Sequence, residues 1–147
     1  MVGSKWIVAT LLAGGLVLTG CASSGTSSSP DPEVAISDSD GSLAVGEGSK
    51  LPDSWPTDLP APDGIRLQSV VDSGSRTVAL YLGPGDAKKL GQQLKSDLAD
   101  NGYEQQATTT AGAETVTKYL KDSTEVEVSV GQTGSDVSIT MTVDHLS

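Results

Sequence analysis

Apolar and polar residues alternate most clearly near the C-terminus. Val126, Val128 and Val130 alternate with Glu125, Glu127 and Ser129, and Val137, Ile139, Met141 and Val143 alternate with Ser138, Thr140 and Thr142. A period of two sends one set to each face of a strand. The connection GQTGSD is short, so the two runs predict an antiparallel hairpin with one apolar face and one face of Thr, Ser and Glu. Further upstream, residues 65–71 and 76–82 predict two more strands joined by the turn DSGS. In the second of these, Val78, Leu80 and Leu82 share one face and Thr77, Ala79 and Tyr81 the other.

From Asp86 the period changes. Ala87, Leu90, Leu94 and Leu98 recur at three- and four-residue spacing, the stripe of an amphipathic helix. Asp86 is its expected N-cap. Asn101 and Gly102 supply a left-handed stop, with Tyr103 folding back on Leu98. Lys88, Lys89, Gln92, Lys95 and Asp97 make the outer, solvated face. After it, residues 103–109 and 115–120 read as strands, the first of them polar, with KDS as a turn. The pattern predicts an α+β domain over 65–147: an antiparallel sheet with one amphipathic helix packed on one face, in the order ββαββββ. About 90 residues bury only ~60–65% of their unfolded surface. No Phe contributes, so the core is modest and little room is expected for a cavity between helix and sheet.

The first 20 residues follow a different rule. Lys5 precedes an apolar run from Trp6 to Leu18, and Gly20 ends it. A cationic start, an apolar stretch and small residues form an export signal. The run is shorter than the ~20 residues of a comfortable span. It closes on Leu18, Thr19, Gly20 and Cys21, which resembles the lipobox of bacterial lipoproteins. That resemblance implies signal-peptidase recognition through Leu18, Thr19 and Gly20, cleavage before Cys21, and a diacylglyceryl group on the Cys21 thiol. Cys21 is the single cysteine, so no internal disulfide is possible. Two acyl chains anchor stably where one would not.

Nine Lys and Arg stand against nineteen Asp and Glu, a net charge of −10. Loss of Lys5 with the leader makes the chain one unit more negative. That sign disfavours nucleic acid and anionic lipid heads. Residues 21–50, rich in Ser, Gly and Asp, are expected to be a disordered tether of roughly 30 Å root-mean-square span, holding the domain off the bilayer. Within it Asp38, Asp40, Gly41, Leu43 and Glu47 match positions of a calcium loop. Ile36 stands where the first ligand belongs and no helix flanks it, so an acidic spacer is the better reading. Residues 51–64 carry four prolines around Trp55, which exclude a helix and hold the chain extended. Trp55 is expected either to seat this segment on the domain or to contact a partner. The WP…LPxP run resembles that of small actinobacterial lipoproteins and implies a cell-envelope setting without an activity.

Candidate chemistry is sparse. His145 is the single His and lies near the C-terminus, a poor place for a base or a metal. Glu125 and Glu127 share one strand face but read as solubilising. GPG at 83–85 lacks the Lys and Ser/Thr of a phosphate loop, and Asp86 would repel an anion. The expected function is a lipid-anchored, extracytoplasmic, non-catalytic binding or interaction module. It would touch the membrane through Cys21 and an envelope protein or wall component through its domain, with no cofactor, no metal and no nucleic acid. The alternative is a small-ligand carrier or enzyme using a cavity between helix and sheet.

Overall fold

The computed structural model describes residues 33–38 and 41–146. The leader, Leu18, Thr19, Gly20, Cys21 and the first part of the expected tether lie outside them. The chain runs β1 (Val34–Asp38), β2 (Gly41–Val45), β3 (Arg66–Asp72), β4 (Arg76–Pro84), α1 (Ala87–Asp100), β5 (Glu104–Ala111), β6 (Glu114–Lys121), β7 (Thr124–Thr133) and β8 (Asp136–His145). All eight strands join one antiparallel sheet in the order β1-β2-β3-β4-β8-β7-β6-β5. Two four-stranded meanders therefore meet along β4 and β8. Helix α1 links them by crossing one face of the sheet from the central strand β4 to the edge strand β5.

The antiparallel sheet with one helix on one face is as expected, but the fold is mostly β and its order is ββββαββββ, not ββαββββ. The extra strands fall inside the segment expected to be a disordered tether over 21–50. Val34-Ala35-Ile36 and Leu43-Ala44-Val45 are two short β-prone runs whose register pairs Val34 with Val45 and Ile36 with Leu43. A lone hairpin is marginal in water. Here β2 also pairs with β3, Leu43 opposite Val71 and Val45 opposite Ser69. That long-range partner is what average composition does not reveal.

The inner face of the sheet carries the core. Ala79 and Tyr81 of β4, Val137, Ile139, Met141 and Val143 of β8, Val126 and Val128 of β7 and Tyr119 of β6 are all buried there. Leu94 and Leu98 of α1 pack on them, with Ala87 and Leu90 at the margin. In β4 the smaller, more polar set Thr77, Ala79 and Tyr81 therefore points inward, and Val78, Leu80 and Leu82 point to the other face. Thr77 is tolerated because its hydroxyl donates to Asp72 Oδ1 at 3.0 Å, the oxygen that also accepts from Gly74 N in the DSGS turn.

Both helix ends are closed as expected. Asp86 Oδ1 accepts from Lys89 N at 2.8 Å. At the other end Gly102 N donates to Ala99 O and Tyr103 N to Leu98 O, the two bonds of a Schellman motif. Gly102, at φ +85°, carries the left-handed turn, while Asn101 does not.

The Pro-rich segment covers a further part of the inner face, and it turns instead of running extended. Trp55 N donates to Pro52 O and Leu59 N to Pro56 O. Two successive Pro-x-x-apolar turns thus bring Trp55 and Leu59 to the same side. Trp55 is only 8% exposed and belongs to the core with Leu59 and Ile65. It is a structural seat, and the expected partner contact at Trp55 is corrected on that ground. Trp55→Ala is expected to cost about 3–5 kcal/mol of unfolding free energy, read as a fall in the urea midpoint. A loss below about 1 kcal/mol would return Trp55 to the surface.

Candidate functional site

One helix cannot fill the inner face. Between α1 and β5–β7 lies a cleft of about 560 Å³, open to solvent. The volume falls within the roughly 300–1,000 Å³ of small-molecule sites. This corrects the expectation that helix and sheet leave little room. The cleft exists because the inner residues of β5 and the first part of β6 are Gln105, Thr108, Thr115 and Thr117. None of them draws the helix down as Val126, Ile139 and Met141 do.

The helix is held above the cleft at both ends. Ala87 N donates to Gln132 Oε1 at 2.7 Å, and Gln132 Nε2 donates to the carbonyls of Gly85, Gly134 and Asp136. Gln132 thereby ties the helix start to the β7–β8 turn. At the far end Lys121 Nζ donates to Asn101 O at 2.8 Å and pairs with Asp58, whose other oxygen accepts from Tyr103 Oη at 3.1 Å. Lys121 also lies 5.2 Å from the centre of the Tyr103 ring.

The floor is graded. Leu94, Tyr119, Val128 and Val130 make its deep, apolar part. Toward β5 it becomes a row of hydroxyls: Thr108 pairs with Thr117 at 3.1 Å and accepts from Gln105 Nε2 at 2.8 Å, and Thr110 faces Thr115. The roof is the helix face bearing Lys88, Gly91, Gln92 and Lys95. Three of these belong to the surface expected to be merely solvated. Gly91 sits mid-helix, where glycine destabilises by about 1 kcal/mol relative to Ala. No clash demands it, since a Cβ there would meet Val130 only at 3.8 Å. Its absence widens the cleft.

The opposite face of the sheet has no covering element among the described residues, and it is divided. Over β5–β8 it is mostly polar, with half-buried Val116 and Leu120 either side of Lys118, which bridges Glu125 at 3.0 Å and Glu127 at 3.5 Å, so those carboxylates are paired. Over β1–β4 it is aliphatic. Val34, Ile36, Val71 and Leu82 are 47%, 58%, 45% and 37% exposed, and half-buried Leu43, Val45, Val78 and Leu80 lie among them.

His145 is exposed at the end of β8, where its backbone N–H bonds Ser75 O. Gly83 and Gly85 turn the chain into the helix, with Ile65 packed against Gly83. Asp38, Gly41 and Leu43 lie on strands of a hairpin and Glu47 pairs with Arg66, while Asp40 lies outside the described residues. Among the described residues no cluster of three His, Cys, Asp or Glu forms, and no helix is long and apolar enough to cross a membrane. Compared with known proteins, the chain matches no family model and no curated protein.

Burial, and then the hydrogen bond to Asp58, push the Tyr103 hydroxyl up to about 12. The Lys121 hydrogen bond holds the Asp58 carboxyl below its ordinary value, with Tyr103 adding to it. Burial also raises Tyr81 and Tyr119. The Asp58 contribution to stability is therefore present at neutral pH and lost as pH falls through its lowered folded value. The Tyr103 contribution is full below 10 and lost as pH rises through about 12. In a phenolate absorbance titration Tyr103 should ionise near 12 in the folded chain. Asp58→Asn should move it only part of the way back, since burial, the larger cause, remains. Ionisation near 10 in the folded wild type would contradict the buried, bonded hydroxyl.

Proposed function

We propose that the chain is a lipid-anchored, extracytoplasmic envelope protein whose domain is a non-catalytic binding module, and that the helix–sheet cleft is where it binds. The leader and the LTGC run at 18–21 support the anchor. The cleft carries the binding reading: apolar groups, hydroxyls, amides and two lysines line it, a set that holds a ligand by burial and hydrogen bonding. His145 and the Glu125–Glu127 pair lie outside it. A cleft ligand takes the place of Trp55 as the point of contact with the envelope, and a protein or wall partner at Trp55 is no longer part of the reading.

Native mass spectrometry of protein purified from its own membranes tests both halves. The expected chain begins at an acylated Cys21 and carries a small molecule released by organic solvent, and Gly91→Leu removes that molecule but not the acyl group. An unmodified Cys21 would refute the anchor. A chain with no retained molecule, or one indifferent to Gly91→Leu, would refute the cleft.

The aliphatic strip over β1–β4 favours a second reading, of how the domain sits. Contiguous exposed apolar surface of this kind marks a contact with protein or lipid. The occupant we assign is the bilayer that holds Cys21. Val34 opens β1 about 13 residues beyond Cys21, at most ~45 Å of extended chain. The described residues nearest the anchor are thus part of the strip. This replaces the long tether and a domain held off the membrane. In vesicles bearing the acylated chain, a fluorophore on Cys at Ile36→Cys should be quenched by nitroxide lipids more than by a soluble quencher. A label at Thr109→Cys should show the reverse. Equal soluble quenching at both sites would place the strip in water.

A further inference from the structure

The cleft combines features that together specify a class of ligand. Its depth is apolar, at Leu94, Tyr119, Val128 and Val130. Its roof carries Lys88 and Lys95, seven residues apart, two helical turns or roughly 10 Å along the axis. Between them Gly91 leaves the helix bare over Val130. The net charge is −10, and acids take up half of the eight Lys and Arg among the described residues: Arg66, Arg76, Lys118 and Lys121 are each in an ion pair. Lys88 and Lys95 pair with no acid among the described residues. The one carboxylate on the lining is Asp86, at the Lys88 end, and it is engaged in capping the helix through Lys89 N. Unpaired cations over an apolar trough in an acidic protein are complementary to a molecule with an anionic head and an apolar tail.

Resting on the cleft reading, we propose that the ligand is a single-chain anionic amphiphile. Its chain lies on Val128 and Val130 beneath Gly91. Its phosphate or carboxylate is held toward Lys95, away from Asp86, with Lys88 adding long-range attraction. The Thr108–Thr117 hydroxyl row and Gln105 hydrogen-bond the polar part of the head. A carboxylate from a fatty acid and a phosphate from a lysolipid share this chemistry, and two probes separate them.

The test uses the full chain in neutral phosphatidylcholine nanodiscs. The probes are dodecyl phosphate, dodecanoate and dodecanol, each with a photoreactive diazirine on the alkyl chain, and the readout is the yield of cross-link on α1 and β7. Both anions should label these elements at least tenfold more than the alcohol, and the stronger of the two identifies the preferred head. Lys88→Gln with Lys95→Gln should reduce the anions to the level of the alcohol. Gly91→Leu should abolish labelling by all three. Gly91→Ala, expected to melt no lower than wild type, should weaken it and serves if Gly91→Leu fails to fold. Equal labelling by alcohol and anions, or indifference to the lysine pair, would overturn the ligand class while leaving the cleft reading in place. Absence of labelling by every probe, or labelling that survives both Gly91 variants, would overturn both.

Discussion

The structure is governed by a mismatch between the width of its sheet and the material available to cover it. Eight strands at ~4.8 Å spacing span roughly 34 Å. One α-helix is about 10–12 Å across. The described residues supply a single helix and one Pro-rich segment. These suffice for the centre of the inner face, where Trp55, Leu59, Leu94 and Leu98 meet Tyr81, Ile139 and Met141. They do not suffice for its β5–β6 margin or for any of the outer face.

The sequence deals with the uncovered surface in three ways. At the β5–β6 margin threonines and Gln105 replace aliphatic residues, so the floor stays hydrogen-bonded where the helix rises off it. On the outer face of β5–β8, Ser, Thr and the Lys118–Glu125–Glu127 group meet water. On the outer face of β1–β4 no such replacement is made, and Val34, Ile36, Val71 and Leu82 remain exposed. Soluble domains seldom leave a contiguous aliphatic strip uncovered, so this third treatment is the one that asks for an occupant.

The cleft depends on the two clamps as much as on its lining. Gln132 holds the start of α1, and the Lys121–Asp58–Tyr103 group holds its end and the Pro-rich segment together. Gln132 adds little apolar burial, while Tyr103 also belongs to the core. The role of the two clamps is geometric: they hold the helix at a fixed height over Val128 and Val130. Gly91 then keeps the middle of the span open, in a helix that would be more stable with Ala there.

Local chemistry determined a good deal of this by itself. Period-two alternation marked β7 and β8, the three-four stripe with Asp86 and Gly102 marked α1 and its ends, and DSGS marked its turn, because each signal lies within a few residues. Tertiary structure decided the rest. The Val34 and Leu43 triplets became strands because β3, more than twenty residues later, offers its edge. Trp55 went inward because two proline-led turns aim it at a core formed by other strands. Thr77, Ala79 and Tyr81 took the inner face of β4 because pairing with Val143, Met141 and Ile139 fixes which side is covered. The cleft had no sequence signal beyond a glycine in mid-helix. A void is defined by the distance between elements, and that distance is set by contacts far apart in the chain.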